Sequence, residues 1–467
     1  MCKDNRLTIT RECLICRINW QQQITKKLTP KSSYFLLVFA ICMLPRIILL
    51  LANKECNDDH MTPVLMWQEK GEFPETHDCW ECFQPPFFYF TIKTLAAPFR
   101  ITTWQGIYTF IQFFNLFFVT GILWLLLKVV ESLQLKKWLS ISLMLFWGMN
   151  PELISIGTLA TNDTVLIFFG FIISYLFIKH WHKATLKYEL PLVLGIAFLG
   201  ITKGNALVFG IALVALFGLE FIRDRKWNFK LLGRQALSVV FIFFFVGYFG
   251  SFFEKQQKHG NAFTINQLKQ NSPNLFEEDT LYDGRKGVTT VFNSYFKLRF
   301  ASLIEMPYNL NSSTFYPIHR TSFWGQMFGQ FSNYTFERYP ASWVSENNDN
   351  FNFSRVNYCL HLPLFLFMLF SLAAGIYRQI KQPYNPELVH LLLIFAFTFF
   401  VARYSYIYRD FSNMKVIFIY PVLYSIITLF GNGSSKLKFE KLVIFLLLAS
   451  TFLYQINFIY LIRALIP

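Results

Sequence analysis

Charge is scarce in this chain. Only 15% of its 467 residues are Asp, Glu, Lys or Arg, against 54% hydrophobic and 19% aromatic, with 56 Phe. A soluble domain of that length carries far more charge, so a membrane class is expected instead. Acid is the scarcer sign, with 28 acidic side chains against 43 basic ones and a net charge of +15. In a soluble protein such an excess points to nucleic acid. Here the basic residues sit in short clusters between apolar runs, so they read as topology signals and no nucleic-acid partner is expected. Internal repeats and low-complexity tracts are lacking, which disfavours transporter folds built from duplicated halves. No cleavable leader is expected: the first 32 residues are polar and basic, and the apolar run from Tyr34 is expected to act as a signal anchor.

Hydrocarbon is what the chain has. Runs long enough to cross about 30 Å of bilayer fall near residues 33–53, 105–131, 137–155, 162–180, 234–254, 357–378, 386–404, 413–431 and 441–462. A further apolar block at 188–222 breaks at "ITKGNA" and reads as two short helices meeting at Lys203-Gly204. The expectation is an all-α polytopic membrane protein with about eleven transmembrane helices. Its parts are a basic N-terminal segment (1–32), a membrane core (33–254) with a first outer loop (54–104), a second outer loop region (255–356) and C-terminal membrane helices (357–467). With a cytoplasmic N-terminus, the clusters around Lys136-Lys137, Lys179/Lys183/Lys187, Arg223/Arg225/Lys226, Arg378/Lys381 and Lys436/Lys438/Lys441 all fall inside. The two large loops then lie outside, and function is expected there, since the inner connections are only linkers.

The first outer loop is polar beyond what a connection needs: "NDDHMTPVLMWQEKGEFPETHDCWECFQPPFFY". Asp58 and Asp59 stand just past the first span. Adjacent carboxylates repel, which suits a general base or a shared cation site; the plain alternative is a solvated loop pair. His60 follows them, and Gln84 opens "QPPFFYF", a stretch suited to the membrane interface or to simple re-entry. Asn162-Asp163 begins the fourth span, either as a cap or as a costly carboxylate facing a cavity. Lys203 sits where a lysine can meet a lipid phosphate or merely snorkel. Arg403, Arg409 and Lys415 gather with Asp410 at an outer turn against the positive-inside rule, so an anion is expected to offset them. Arg46 lies inside the first span, and beyond it only His361 and His390 stand out at mid-membrane depth.

Cys56, Cys79, Cys82 and Cys359 fall on the outer side, where one or two disulfides could staple the first loop. Zinc is the alternative, with His60, His77 and Asp78 nearby, but the Cys79/Cys82 pair has no matching second pair and no metal ligand is assigned. Cys13 and Cys16 are assigned nothing. Sequons stand at Asn311, Asn333 and Asn352.

Taken in order, "NDDH", "QPPFFY", "TNDTVLIFF", "ITKGNALVFGI", "SFWGQMFG" with Trp324, and "SNMKVIFIYP" resemble the GT-C superfamily of integral membrane glycosyltransferases. That group includes protein O-mannosyltransferases and the aminoarabinose transferase of lipid A. The likeness runs from about Leu36 to Pro421. Two departures stand out: the acidic pair is Asp-Asp where the family usually has Asp-Glu, and Gln84 replaces the His of the family's His-Pro-Pro. The resemblance implies transfer of a hexose or pentose from a polyprenyl-phosphate donor to a lipid, glycan or protein acceptor on the extracytoplasmic side of a bacterial inner or endoplasmic reticulum membrane. It implies Asp58 or Asp59 as base, Asp163 as part of the site, Lys203, Arg403 and Lys415 on the donor phosphate with Arg409 beside them, and His60, Gln84 and Trp324 near the acceptor. No cofactor is called for, and a divalent cation is left open.

Overall fold

The computed structural model describes residues 33–54, 59–76, 78–79, 81–224, 229–262, 295–298, 301, 304, 322–334, 349–408, 416–437 and 439–466. Asp58, Cys56, His77, Arg409 and Lys415 lie outside the described residues, as does most of the 255–356 region.

The described chain is all helix. In order come α1 (Ser33–Ala52), α2 (Thr62–Lys70), α3 (Phe87–Ala96), α4 (Trp104–Ser132), α5 (Lys137–Gly148), α6 (Pro151–Ser155), α7 (Asp163–His182), α8 (Leu186–Gly200), α9 (Leu207–Asp224), α10 (Phe229–Phe249), α11 (Phe252–His259), α12 (Phe323–Ser332), α13 (Asp349–Lys381), α14 (Glu387–Tyr408), α15 (Leu423–Ser434) and α16 (Glu440–Leu465). Short 3₁₀ turns at Gly204–Ala206 and Val416–Val422 lead into α9 and α15.

Nine of these helices, two extended by those turns, are long and apolar enough to cross a membrane, and the chain is a multi-pass membrane protein. The expected eleven spans differ in two places. The run at 137–155 is split into α5 and α6, because Asn150 caps a new helix through its side-chain oxygen on Leu153 N at 3.3 Å and Pro151 takes the first helical position. The block at 188–222 does break at Lys203, but unequally. α8 has 15 residues, whereas the turn and α9 together make a full-length span, Gly204–Asp224.

Two apolar cores share α4 and α7. One gathers Phe35, Val119, Leu143, Trp147, Tyr420 and Tyr454, and the other gathers Met61, Tyr89, Ile107, Phe177, Leu199 and Phe209. Outward-facing Leu36, Phe117, Ile211, Phe244, Phe399 and Phe452 are exposed on the long helices, where a bilayer would receive them. α12 departs from loop behaviour: Phe323, Gln326, Met327, Phe328 and Gln330 are all buried, so part of the 255–356 region is packed inside the bundle.

The charge inside α1 is absorbed by protein. Arg46 donates to Cys42 O at 2.6 Å and Gly148 O at 2.7 Å and is buried. An isolated arginine at that depth would cost about 2.5–3.5 kcal/mol on insertion scales. To the expected few polar groups inside the spans the structure adds Gln112 and Asn115, both buried well within α4, while His180, Glu189 and Glu220 are buried near helix ends.

Candidate active site

The segment before α2 places Asp59 by its own hydrogen bonds. Its carboxylate accepts from Thr62 N (3.1 Å) and from the Thr62 hydroxyl, three residues on, which closes the turn that starts the helix. Trp104 Nε1, at the start of α4, donates to the same carboxylate at 3.3 Å. Oδ1 thus takes two donors and Oδ2 one among the described residues, and the side chain is half-buried. A carboxylate oxygen accepts about two hydrogen bonds, so Oδ2 retains room for one more.

His60 is buried beside it, its Nδ1 3.0 Å from Tyr89 Oη; Tyr89 also donates to Glu81 O at 3.3 Å. Tyr89 belongs to "QPPFFY". Gln84 lies half-buried in the turn before it, its N–H on Glu81 O at 3.1 Å. Cys79 and Cys82 close on each other in a disulfide in that loop, so the paired thiols are spent. Cys359 is a free, exposed thiol on α13. No three His, Cys, Asp or Glu side chains converge to hold a metal among the described residues.

The fourth-span motif and the helix break meet. Lys203 Nζ lies 2.6 Å from Asp163 Oδ1 and 2.7 Å from Asn162 Oδ1, and it is buried. Asn162 therefore stands at the cap position of α7 without capping it, because its oxygen is on the lysine. Thr161 Oγ1 donates to Asp163 Oδ2 at 3.0 Å, so both carboxylate oxygens are engaged. Lys203 also stands 5.9 Å from the Phe418 ring, in the turn that follows the "SNMK" segment. Gln330 Oε1, on α12, accepts from Val416 N at 2.7 Å at the start of that turn. The "QPPFF" end joins from the other side, with Phe87 N on Ile201 O at 3.3 Å. Five of the six sequence motifs, from residue 60 to residue 418, are thus linked by direct contacts, and Gln330, one residue past the sixth on α12, joins that helix to them.

Trp324 lies in the same region through Tyr295. Its Nε1 donates to Tyr295 O at 2.8 Å, and Tyr295 Oη donates to Ala402 O at 2.7 Å, next to Arg403. Arg403 is exposed on α14.

A set of residues that sequence reading missed connects the two carboxylates. Trp104, Tyr108, Gln112 and Asn115 follow at steps of four, four and three, one face of α4. Trp104 touches Asp59 and stacks on Tyr108, with ring planes 5° apart. Gln112 Nε2, with two N–H groups to give, lies 3.0, 3.2 and 2.7 Å from Tyr108 Oη, Asn53 O and Thr158 O. Asn115 Nδ2 donates to Leu159 O and Thr161 O at 2.7 and 2.8 Å. The signal was present: two amides, three apart, inside the otherwise apolar "IYTFIQFFNLFF".

Outside the spans, burial pulls the Lys255 ammonium on α11 down from 10.5 to about 8, against an opposing pull from Glu254. Lys255 donates to Phe83 O and so ties α11 to the loop at 54–104.

No protein-family model matches the sequence, and no characterised protein matches it by sequence. Among solved structures the fold is similar to ArnT from Cupriavidus metallidurans bound to undecaprenyl phosphate, at 14% identity and a TM-score of 0.45, covering 89% of this chain and 63% of that one. It is also similar to the archaeal oligosaccharyltransferase AglB from Archaeoglobus fulgidus in complex with an inhibitory peptide and a dolichol-phosphate, at 14% identity and a TM-score of 0.49, covering 93% of this chain and 56% of that one. The chain therefore spans less than two thirds of the length of either.

Proposed function

We propose that this chain is a glycosyltransferase that moves a sugar from a polyprenyl-phosphate-linked donor to a lipid, glycan or protein acceptor on the extracytoplasmic face, with inversion at the sugar C1. The observation that supports this most is the chain of contacts from His60 through Tyr89, Phe87–Ile201, Lys203–Asp163 and Lys203–Phe418 to Val416–Gln330, because the segments it joins resemble parts of one family's site.

In this reading the acceptor oxygen attacks C1 and its proton passes to the free acceptor position on Asp59 Oδ2. The bond from C1 to the phosphate oxygen breaks, and the electron pair leaves with the polyprenyl phosphate. A phosphate is a weak base, so the leaving group needs cations more than a proton donor. Lys203, Arg403, Arg409 and Lys415 supply them, and Asp163 holds Lys203 in place rather than taking a proton. The N-terminus is cytoplasmic, with the loop at 54–104 and the region at 255–356 outside, because the basic clusters then fall on one side.

The test is to incubate the purified protein in liposomes with a panel of polyprenyl-phosphate sugars and follow release of polyprenyl phosphate. Wild type is expected to turn over one donor, and Asp59→Asn to lose about 10²–10⁴-fold in rate, the usual worth of a positioned base. Full turnover in both Asp58→Asn and Asp59→Asn would sink the base assignment. Failure of wild type on every donor would overturn the reading as a whole.

A further inference from the structure

At the end of α7 opposite to Asp163, four helices meet around one buried imidazole. His180, on α7, has Nδ1 3.0 Å from Glu220 Oε1, on α9, and Nε2 3.4 Å from Glu189 Oε2, on α8. Arg234 Nη2, on α10, lies 2.7 Å from Glu189 Oε2, and Ser238 Oγ donates to Glu189 Oε1 at 2.9 Å. Gln235 Nε2 donates to Glu220 Oε2 at 2.9 Å. His180, Glu189, Glu220 and Gln235 are all at least 96% buried.

Other charged groups nearby are engaged or flanking. Arg223 donates to Trp181 O at 2.9 Å, stacks on the Trp181 ring and pairs with Asp224. Lys179 and His182 flank His180 on its own helix. A cavity of about 480 Å³, lined by Glu220, Arg223, Asp224 and Gln235 among others, reaches the Glu220 side of the cluster.

The proton count follows from this geometry. All four carboxylate oxygens face a donor, and two of those donors are the two nitrogens of one imidazole. A neutral imidazole has a single N–H. If that proton is on Nδ1, Arg234 and Ser238 still serve Glu189, but the bare Nε2 then faces Glu189 Oε2 lone pair to lone pair at 3.4 Å, and a second proton turns that contact into a hydrogen bond. The charges then also cancel: two carboxylates against one guanidinium and one imidazolium. A buried cluster that is both neutral and fully hydrogen-bonded avoids the several kcal/mol that an uncompensated buried charge costs.

We infer that the His180, Glu189, Glu220 and Arg234 quartet is a buried proton-binding site, holding His180 as an imidazolium and fastening α10 to α7, α8 and α9. α10 runs on into α11, whose Lys255 grips the first outer loop at Phe83 O. The quartet thereby anchors the element that supports that loop from the far end.

The experiment is ¹⁵N NMR of histidine-labelled protein in bilayers, with thermal unfolding of three variants alongside. Wild type is expected to show one imidazole with both nitrogens protonated throughout about pH 6–8, a range in which an ordinary histidine of pKa about 6.5 loses its proton. In Glu220→Gln that signal should turn neutral at pH 8, which also assigns it. His180→Gln leaves the cluster one charge negative and should lower the Tm, and His180→Gln/Glu220→Gln restores neutrality and should regain most of the loss. A bare nitrogen on every histidine at pH 8 would overturn the inference, as would a double variant no more stable than His180→Gln. If His180→Gln does not fold, folding of the double variant decides in favour and the spectra of wild type and Glu220→Gln stand on their own. Glycosyl transfer is not the readout, so the inference is decided whatever reaction the outer site performs.

Discussion

Lys203 faces two carbonyl-type oxygens within 2.7 Å and an aromatic ring, all inside the bundle. Removing one member of such a buried pair strands the other. Asp163→Asn is therefore expected to destabilise by about 3–5 kcal/mol, and Asp163→Asn/Lys203→Gln by clearly less. Thermal unfolding of the two variants in detergent checks this; equal losses would mean that the pair has no coupling. Lys255 gives a pH signature. Its folded-state pKa of about 8 lies below the ordinary 10.5, so the folded protein binds fewer protons than the unfolded chain between those values. The cost of the buried ammonium is full below pH 8 and is relieved as pH rises to 10.5. The Tm of wild type relative to Lys255→Met should rise across that window. At this scale the sequence showed which residues are unusual but not what they touch. Asn162 reads equally well as a cap and as a site residue, and only the position of Lys203, 41 residues on, separates the two.

Among elements, α4 does the most to shape the candidate site. Its two buried amides hold the backbone at 158–161, which precedes Asp163, through carbonyls that have no helix to serve. Asn115→Leu leaves Thr161 O without that donor, while Leu159 O keeps the Thr161 N–H at 3.1 Å, so a loss of about 1–3 kcal/mol for one stranded buried acceptor is expected. The transfer rate, if the proposed reaction is right, should fall with it, because the loop sets where Asp163 and Lys203 stand. A Tm unchanged from wild type would remove α4 from this role. Gly170 marks another close approach: a Cβ there would come within 2.4 Å of Pro421 O and 2.8 Å of Pro421 Cα. Backbone cannot rotate away as a side chain can. Gly170→Ala is thus expected to push α7 from the turn that carries Phe418, destabilising by about 1–3 kcal/mol. The long helices were readable because unbroken hydrocarbon has no other use at that length. The split at Asn150-Pro151 was also written in the chain, as a cap followed by proline, yet is hidden in a hydropathy reading that averages over it.

For the whole molecule, side matters more than shape. The positive clusters predict that single cysteines placed at Glu72 and at Gln382, both exposed, will react with a membrane-impermeant thiol reagent from opposite faces of sealed vesicles. Labelling from the same face would undo the proposed orientation. The quartet around buried His180 escaped the sequence reading because its members come from four helices, and each alone reads as a flanking polar residue at a span's end. The motif segments escaped the opposite way: their order was visible, while the contacts that join them cross from 29 to 215 residues and are fixed only by packing.

Asn333, the middle of the three sequons, is wholly buried at the end of α12, its side-chain oxygen accepting from Asn357 Nδ2 at 3.2 Å. An oligosaccharide cannot be attached to an amide enclosed in that way. In a glycosylating host, a sugar on Asn333 would therefore date the moment of its attachment: it would mark a chain reached by the modifying enzyme before the second outer loop had packed home, and so serve as a tag for molecules that never finished folding.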